Sequence, residues 1–282
     1  MTGRKTVFAV VAVAVLIVLA AGCGGGGGGA VEEEKPKLSG TLNLSGSTTV
    51  LPIAQEAAEM FMDENPGVTV NVQGGGSSVG ISNVAEGVVD IGDASRDLKE
   101  EEKNLGLVDH KIALDVIAVI AHKDVPVENL TKDQVKAIFT GKMTNWKEVG
   151  GPDQAIRVVI RDEASGTREM FDEKALGKEK PVAGAIECNS NGIVRQTVSS
   201  TPYSIGYISL GYLDNSVKAL KYEGVTADKE NAVNKTYPLS RYLHMFTKGE
   251  ATGLAKAFID FVLSERFQNE VVAREYIPMT QI

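Results

Sequence analysis

The stretch AIRVVIRDEASGTREMFDEKAL, residues 155–176, changes its period part-way along. Up to Arg161 it is β-branched and alternating, as a strand is; from Ser165 onward its apolar side chains return about once per helical turn. At the junction stand Arg161, at the end of the predicted strand, and Ser165-Gly166-Thr167, at the foot of the predicted helix. A helix start exposes unpaired N–H groups and carries roughly +0.5 of an elementary charge. Glycine there admits close approach to the main chain, and the hydroxyls of serine and threonine add further donors. The acids Asp162 and Glu163 are placed to hold the Arg161 guanidinium.

The same grammar occurs twice upstream. TLNLSG, from Thr41, alternates as a strand, GSTTVLP (46–52) follows, and IAQEAAEMFMDENPG has helical spacing; Pro52 suits a first helical turn, leaving Ser47, Thr48 and Thr49 at the entrance. VTVNVQ (68–73) is a second strand, and GGGSSVG (74–80) puts Ser77 and Ser78 at the start of another helix. One such turn is ordinary capping. Three of them following strands predict an α/β fold in which the turns converge at the strand carboxyl ends. Convergent N–H and O–H donors suit a small tetrahedral oxyanion, with Arg161 as a fixed, forked cation.

The remainder of the chain sets bounds on this reading. It has 282 residues, 43% hydrophobic and 23% charged, enough for a buried core in one large or two ordinary domains. MTGRK followed by the apolar run Val7–Ala21 is a secretory leader, and LAAGC (19–23) looks like a lipobox that leaves Cys23 as a lipid-carrying N-terminus. Residues 1–23 are therefore read as signal. Residues 24–38, with six consecutive glycines and VEEEKPK, form a tether of about 15 residues reaching on the order of 20 Å. The body is expected outside the cytoplasm, lipid-anchored at the cell membrane.

The formal charge of −8 becomes −10 when the leader, with Arg4 and Lys5, is removed. A broad basic surface for nucleic acid is thus not available, and an anion must be held by local groups. Lipidation of Cys23 leaves Cys188 without an intramolecular partner. His110, His122 and His244 have no metal-ligand spacing, so neither metal nor cofactor is expected. Gly75 and Gly80 have P-loop spacing, but Ile81 stands where the lysine belongs. Ser165 lies in EASGT, which lacks the first glycine of a nucleophile elbow, so a secreted phosphoesterase is the weaker alternative.

GSTTVLP, GGGSSVG, VDIGDASR, TNWKEVGG, IRDEASGT and IGYISLGYL, taken in that order, resemble the phosphate-binding lipoproteins of ABC importers, PstS-like members of the type 2 periplasmic binding proteins. The resemblance runs from about Leu42 to the C-terminus. It implies a two-lobed α/β fold with two hinge-crossing strands, no enzymatic activity, inorganic phosphate as ligand and ABC permease subunits as partners; a monomer is expected. By resemblance, Thr48, Thr49 and Ser77 serve the first two turns, Arg161, Ser165, Gly166 and Thr167 the third, and Glu163 pairs with the arginine. Where well-studied members place an aspartate acceptor, this chain has Ser95 followed by Arg96, and the resemblance assigns both to the anion. A buried acceptor favours monohydrogen phosphate over sulfate. Its absence keeps sulfate, molybdate and tungstate open as ligands, with Asp93 and Asp162 as replacement acceptors.

LDVIAVIAH (114–122) and YPLSRYLHMFT (237–247) are the strand-like runs expected to cross between lobes, giving lobe I as 39–117 plus 241–282 and lobe II as 118–240. Thr131 is read as a helix cap, Trp146 as buried, and NSNGIVRQTVSS from Asn189 as a helix whose Arg195 and Gln196 face the cleft or solvent. AKAFIDFVLSERFQNEVV is expected as one amphipathic C-terminal helix with Phe258, Phe261 and Phe267 in the core.

Overall fold

The computed structural model describes residues 37–177 and 179–282. The leader, Cys23 and residues 24–36 of the expected tether lie outside the described residues. β1 (Gly40–Gly46) runs into α1 (Leu51–Glu64), β2 (Val68–Gly74) into α2 (Ser77–Glu86), and β3 (Ile91–Ala94) leads on to β4 (Leu107–Ala121). β5 (Asn129–Leu130), α3 (Lys132–Phe139), β6 (Arg157–Arg161), α4 (Gly166–Phe171), β7 (Ile186–Cys188), α5 (Asn191–Ser200) and β8 (Ser204–Ser209) follow. After β9 (Lys218–Ala219), β10 (Lys221–Tyr222) and α6 (Lys229–Val233), β11 (Ser240–Lys248) returns, and α7 (Gly253–Val262), α8 (Glu265–Phe267), α9 (Ala273–Glu275) and β12 (Ile277–Pro278) complete the chain.

The main sheet has the order β2-β1-β3-β11-β4-β8-β6-β7. Its ends are parallel wings, β2-β1-β3 on one side and β8-β6-β7 on the other. Between them β11 and β4 are antiparallel to each other and to the wings. The 15-residue β4 pairs with β11 up to Val116 and with β8 from Ile117 onward, so one apolar strand belongs to both wings. Both crossing runs expected from the sequence are these strands.

Two large cores flank the crossing. The first joins Leu42, Leu44, Ile53, Phe61, Phe258 and Phe267, with the Phe61 ring edge-on to Phe258 at 5.4 Å. The second joins Val119, Phe139, Trp146, Val159, Phe171 and Tyr207, where Phe171 stacks on Tyr207 at 4.0 Å. Each fully buried aromatic or aliphatic side chain contributes roughly 1.5–3 kcal/mol by leaving water. Trp146 is fully buried and donates its Nε1–H to the Tyr203 carbonyl at 2.8 Å. Thr131 caps α3 in a reciprocal box with Gln134.

The C-terminal segment departs from the single helix expected. α7 ends at Val262, and Ser264 starts α8 by accepting from the Phe267 N–H; a π-type turn over Gln268–Val272 follows. A serine hydroxyl offers the backbone an alternative partner, which favours a new cap over continuation. The buried Gln268 amide is satisfied there by Ile112 O, Val262 O and Met279 N. Phe258 and Phe267 are buried and Phe261 packs beside them, as the stripe predicts.

Candidate functional site

The wings direct the carboxyl ends of β1, β3 and β6 toward the middle of the molecule, and the helices after β1, β2 and β6 start there. Thr48 and Thr49 precede α1, Ser77 is the first residue of α2, and Ser165 caps α4 by accepting from the Arg168 N–H at 3.2 Å. Pro52 lies in the first turn of α1, where its missing N–H costs nothing. Thr48, Thr49, Ser77, Ser95, Ser165 and Thr167 are all buried.

These groups meet. Thr49 Oγ1 lies 3.1 Å from Thr167 Oγ1, and Ser77 Oγ lies 3.3 Å from Ser95 Oγ while accepting from the Ser95 N–H at 3.0 Å. Glycine is required at two points of the seam. A Cβ on Gly166 would sit 2.4 Å from Ser77 Oγ, and one on Gly76, whose φ is +96°, would sit 2.6 Å from the Ala164 carbonyl oxygen. The Ser78 N–H donates to that same Ala164 carbonyl, tying α2 to the turn before α4.

The centre of the cluster is a residue pair that the motifs did not reveal. Arg241, on β11, donates from Nη2 to Thr49 Oγ1 at 3.1 Å, to Thr167 Oγ1 at 2.9 Å and to Asp115 Oδ2 at 2.9 Å; its Nε also donates to Asp115 Oδ2. Asp115, on β4, accepts from Ser209 Oγ at 2.7 Å through its other oxygen. Burial raises the Asp115 carboxyl and lowers the Arg241 guanidinium, and the contact between them opposes both shifts. Arg241 Nη1 is buried without a hydrogen-bond partner among the described residues. Such a donor is costly unless something accepts from it.

Asn191, at the start of α5, reaches Thr49 Oγ1 at 3.0 Å and Thr48 Oγ1 at 3.3 Å. Tyr212 and Tyr276 donate their hydroxyls to the carbonyls of Thr48 and Thr49. Burial keeps both phenols protonated, raising Tyr212 to about 12 and Tyr276 well above the usual phenol range.

Two expectations change. Arg161 is buried at the end of β6, but Glu163 is not its partner: Nε and Nη2 donate to the carbonyls of Cys188 and Asn189, and Asp162 lies 3.8 Å from Nη2. Backbone carbonyls beside β6 hold the fork without a second full charge. Arg96 is not in the hydroxyl cluster. Its guanidinium is taken up by Glu102 in a bidentate pair (2.6 and 2.8 Å) and by Ser78, and Nε lies 2.8 Å from Glu169 Oε2 but off its N–H axis, so that contact is an ion pair without a directed bond. The replacement acceptors are also resolved in place. Asp93 is buried, with its carboxyl raised well above the usual range by desolvation and Oδ1 without a hydrogen-bond partner among the described residues; Asp162 is partly buried and likewise raised by burial. Arg195 pairs with Asp214 and donates to the Tyr212 carbonyl, while Gln196 is exposed.

A cavity of about 950 Å³ lies beside the cluster, lined among others by Lys132, Glu173, Lys174, Arg241 and His244. It touches the cluster only through Arg241; the rest of its charged lining, Arg96, Asp97, Lys132, Glu173, Lys174, Lys235 and His244, lies outside the hydroxyl cluster. Among the described residues, no helix is long and apolar enough to cross a membrane, and no group of three or more His, Cys, Asp or Glu is placed to hold a metal.

A family model described as a PBP superfamily domain matches residues 31–266. The phosphate-binding protein PstS of Bacillus subtilis is 44% identical over 252 residues, covering 87% of this chain and 83% of that protein. The chain belongs to the PstS phosphate-binding protein family. Members of this family have been solved. A substrate-binding protein from Clostridium perfringens with bound phosphate has a TM-score of 0.82 at 44% identity, covering 85% of this chain and 100% of that one. An ABC-type phosphate transport receptor from Vibrio cholerae has a TM-score of 0.71 at 37% identity, covering 84% and 99%. The winged α/β architecture with two crossing strands is the type 2 periplasmic-binding-protein fold of this family.

Proposed function

We propose that this chain captures inorganic phosphate between two lobes and delivers it to the permease subunits of an ABC importer. Residues 39–117 with 241–282 form one lobe on this reading and 118–240 the other, each with its own core. One observation carries the proposal: buried donors from separate strand-to-helix turns meet around Arg241, whose Nη1 has no partner among the described residues. An oxyanion accepting from that donor satisfies a group that is otherwise costly to bury, and the hydroxyls of Thr48, Thr49, Ser77, Ser95, Ser165 and Thr167, with the backbone at Gly166, surround it with further donors. Arg161 adds the second cation. Dipoles and two locally held guanidiniums let a chain of net charge −8 bind an anion.

The relatives are transport proteins by name, and this chain acts likewise, by holding its ligand rather than converting it. It works outside the cytoplasm as a monomer, anchored through lipid on Cys23. Titration calorimetry on phosphate-stripped protein tests the reading: stoichiometric binding of inorganic phosphate supports it. No binding, or turnover of an aryl phosphate that disappears in Ser165→Ala, removes it. Sulfate, molybdate and tungstate in competition decide the class of oxyanion.

A further inference from the structure

We infer that Asn191 is a positioning residue that fixes the direction of the Thr49 hydroxyl proton, turning that group into a donor toward the bound anion. This inference rests on the oxyanion reading above.

Asn191 is fully buried, and its amide orientation follows from its partners. The Ser209 backbone N–H lies 3.1 Å from Oδ1 and can only donate, so the oxygen faces Ser209 and the NH₂ faces the threonines. Thr49 Oγ1 therefore accepts from Asn191 Nδ2, and it also accepts from Arg241 Nη2, whose two hydrogens are shared among Thr49, Thr167 and Asp115. A hydroxyl oxygen has two lone pairs and one proton. With both lone pairs of Thr49 occupied, its proton must be donated, to Thr167 Oγ1 or to a ligand. Thr167 Oγ1 already accepts from Arg241, and Thr48 Oγ1 accepts from Asn191. An anion at this point meets donors, and a proton carried by the anion has to point elsewhere.

The contact also spans the molecule. Val194 and Val198 seat α5 in the second core, whereas Thr48 and Thr49 lead into α1, which packs in the first. Asn191 reaches the threonines only while the two halves are together, so closing the cleft and aligning the hydroxyls are one event.

The test compares phosphate affinity of stripped native protein with that of Asn191→Asp from about pH 5 to 8, the range over which the ligand stays anionic and a perturbed carboxyl titrates. Aspartate keeps the shape but accepts where the amide donated. Affinity should fall by more than about a hundredfold at neutral pH, as a neutral donor is replaced by a charged acceptor. The ratio to the native protein should narrow on acidification, because the introduced carboxyl, once protonated, can donate again; the ligand's own protonation cancels in that ratio. Native-like affinity, or a ratio independent of pH, overturns the inference.

A mutant cycle decides the matter even where Asn191→Asp fails to fold. Thr49→Val should cost about tenfold or more in the native background and much less in Asn191→Ala, since a hydroxyl whose proton is no longer directed contributes little. Equal losses in both backgrounds overturn the inference while leaving the functional reading intact. Absence of phosphate binding by the native protein defeats that reading, and this inference with it.

Discussion

Arg96 and Arg241 are both buried arginines near the meeting point of the two halves, yet their surroundings differ. Arg96 faces two carboxylates, Glu102 and Glu169, so its charge is more than matched. Arg241 faces one, Asp115, and keeps hydroxyl contacts and an Nη1 unpartnered among the described residues. Burying a cation is costly, and carboxylates offset that cost while competing for the same donors a ligand needs. A buried arginine remains available to an anion when the protein neutralises it once and stops. Arg96 instead ties its own segment to α4, through Glu169.

The largest test of this contrast removes the singly matched cation. Arg241→Met leaves Asp115 buried and unpaired, which should destabilise the fold by about 3–5 kcal/mol in denaturant titration and abolish phosphate binding by calorimetry. Native stability in that variant would break the comparison. Arg161→Ala should weaken binding by about 2–5 kcal/mol, with a smaller effect on unfolding because carbonyls rather than a carboxylate are left behind.

Asp93 sharpens the contrast from the acidic side, as a buried carboxyl with one oxygen unpartnered among the described residues. Asp93→Asn should stabilise the fold by roughly 1–3 kcal/mol at neutral pH. A carboxyl raised in the folded state contributes stability below its unfolded value of about 3.9 and loses it as pH rises through the folded value. The melting-temperature gain of Asp93→Asn should therefore grow as the pH rises and vanish in acid. Glu102 carries the opposite sign. Burial pushes its carboxyl up, but the Arg96 hydrogen bond and the Lys99 N–H outweigh that and leave it lowered, so its contribution disappears as pH falls below the unfolded value of about 4.3. The smallest effect is expected from Glu169→Gln, whose part-exposed ion pair should change phosphate affinity by less than about 1 kcal/mol in calorimetry.

What was legible in the sequence was local. β-branched alternation followed by glycine and hydroxyl residues located β1, β2 and β6 and the three helix starts, because strand period, turn and cap lie within a dozen residues of one another. Arg241, Asp115 and Asn191 escaped because their partners are remote: 192 positions separate Arg241 from Thr49, 126 separate it from Asp115, and 142 separate Asn191 from Thr49. A signal did exist for the first two. LDVIAVIAH and YPLSRYLHMFT each carry a charge within an apolar run, and both runs were expected to cross between lobes side by side; two opposite charges buried in neighbouring strands have to find each other. Asn191 stands at the start of a helix legible from its period, where an asparagine reads as an ordinary cap. Ser264 broke the C-terminal helix because apolar periodicity continues across a cap that only hydrogen bonding reveals.

Trp146 is the only indole in the chain, and it is sealed in the second core with its N–H bound to the Tyr203 carbonyl. Fluorescence excited at the indole band thus monitors the integrity of one half alone. Tyr212 and Tyr276, bonded to the carbonyls of Thr48 and Thr49, lie where the halves join, so the part of the tyrosine difference absorbance that is lost when both are replaced by phenylalanine follows the opening of that joint, apart from the core tyrosines Tyr207, Tyr222 and Tyr237. Two optical channels from unlabelled protein separate loosening of the seam from melting of a core.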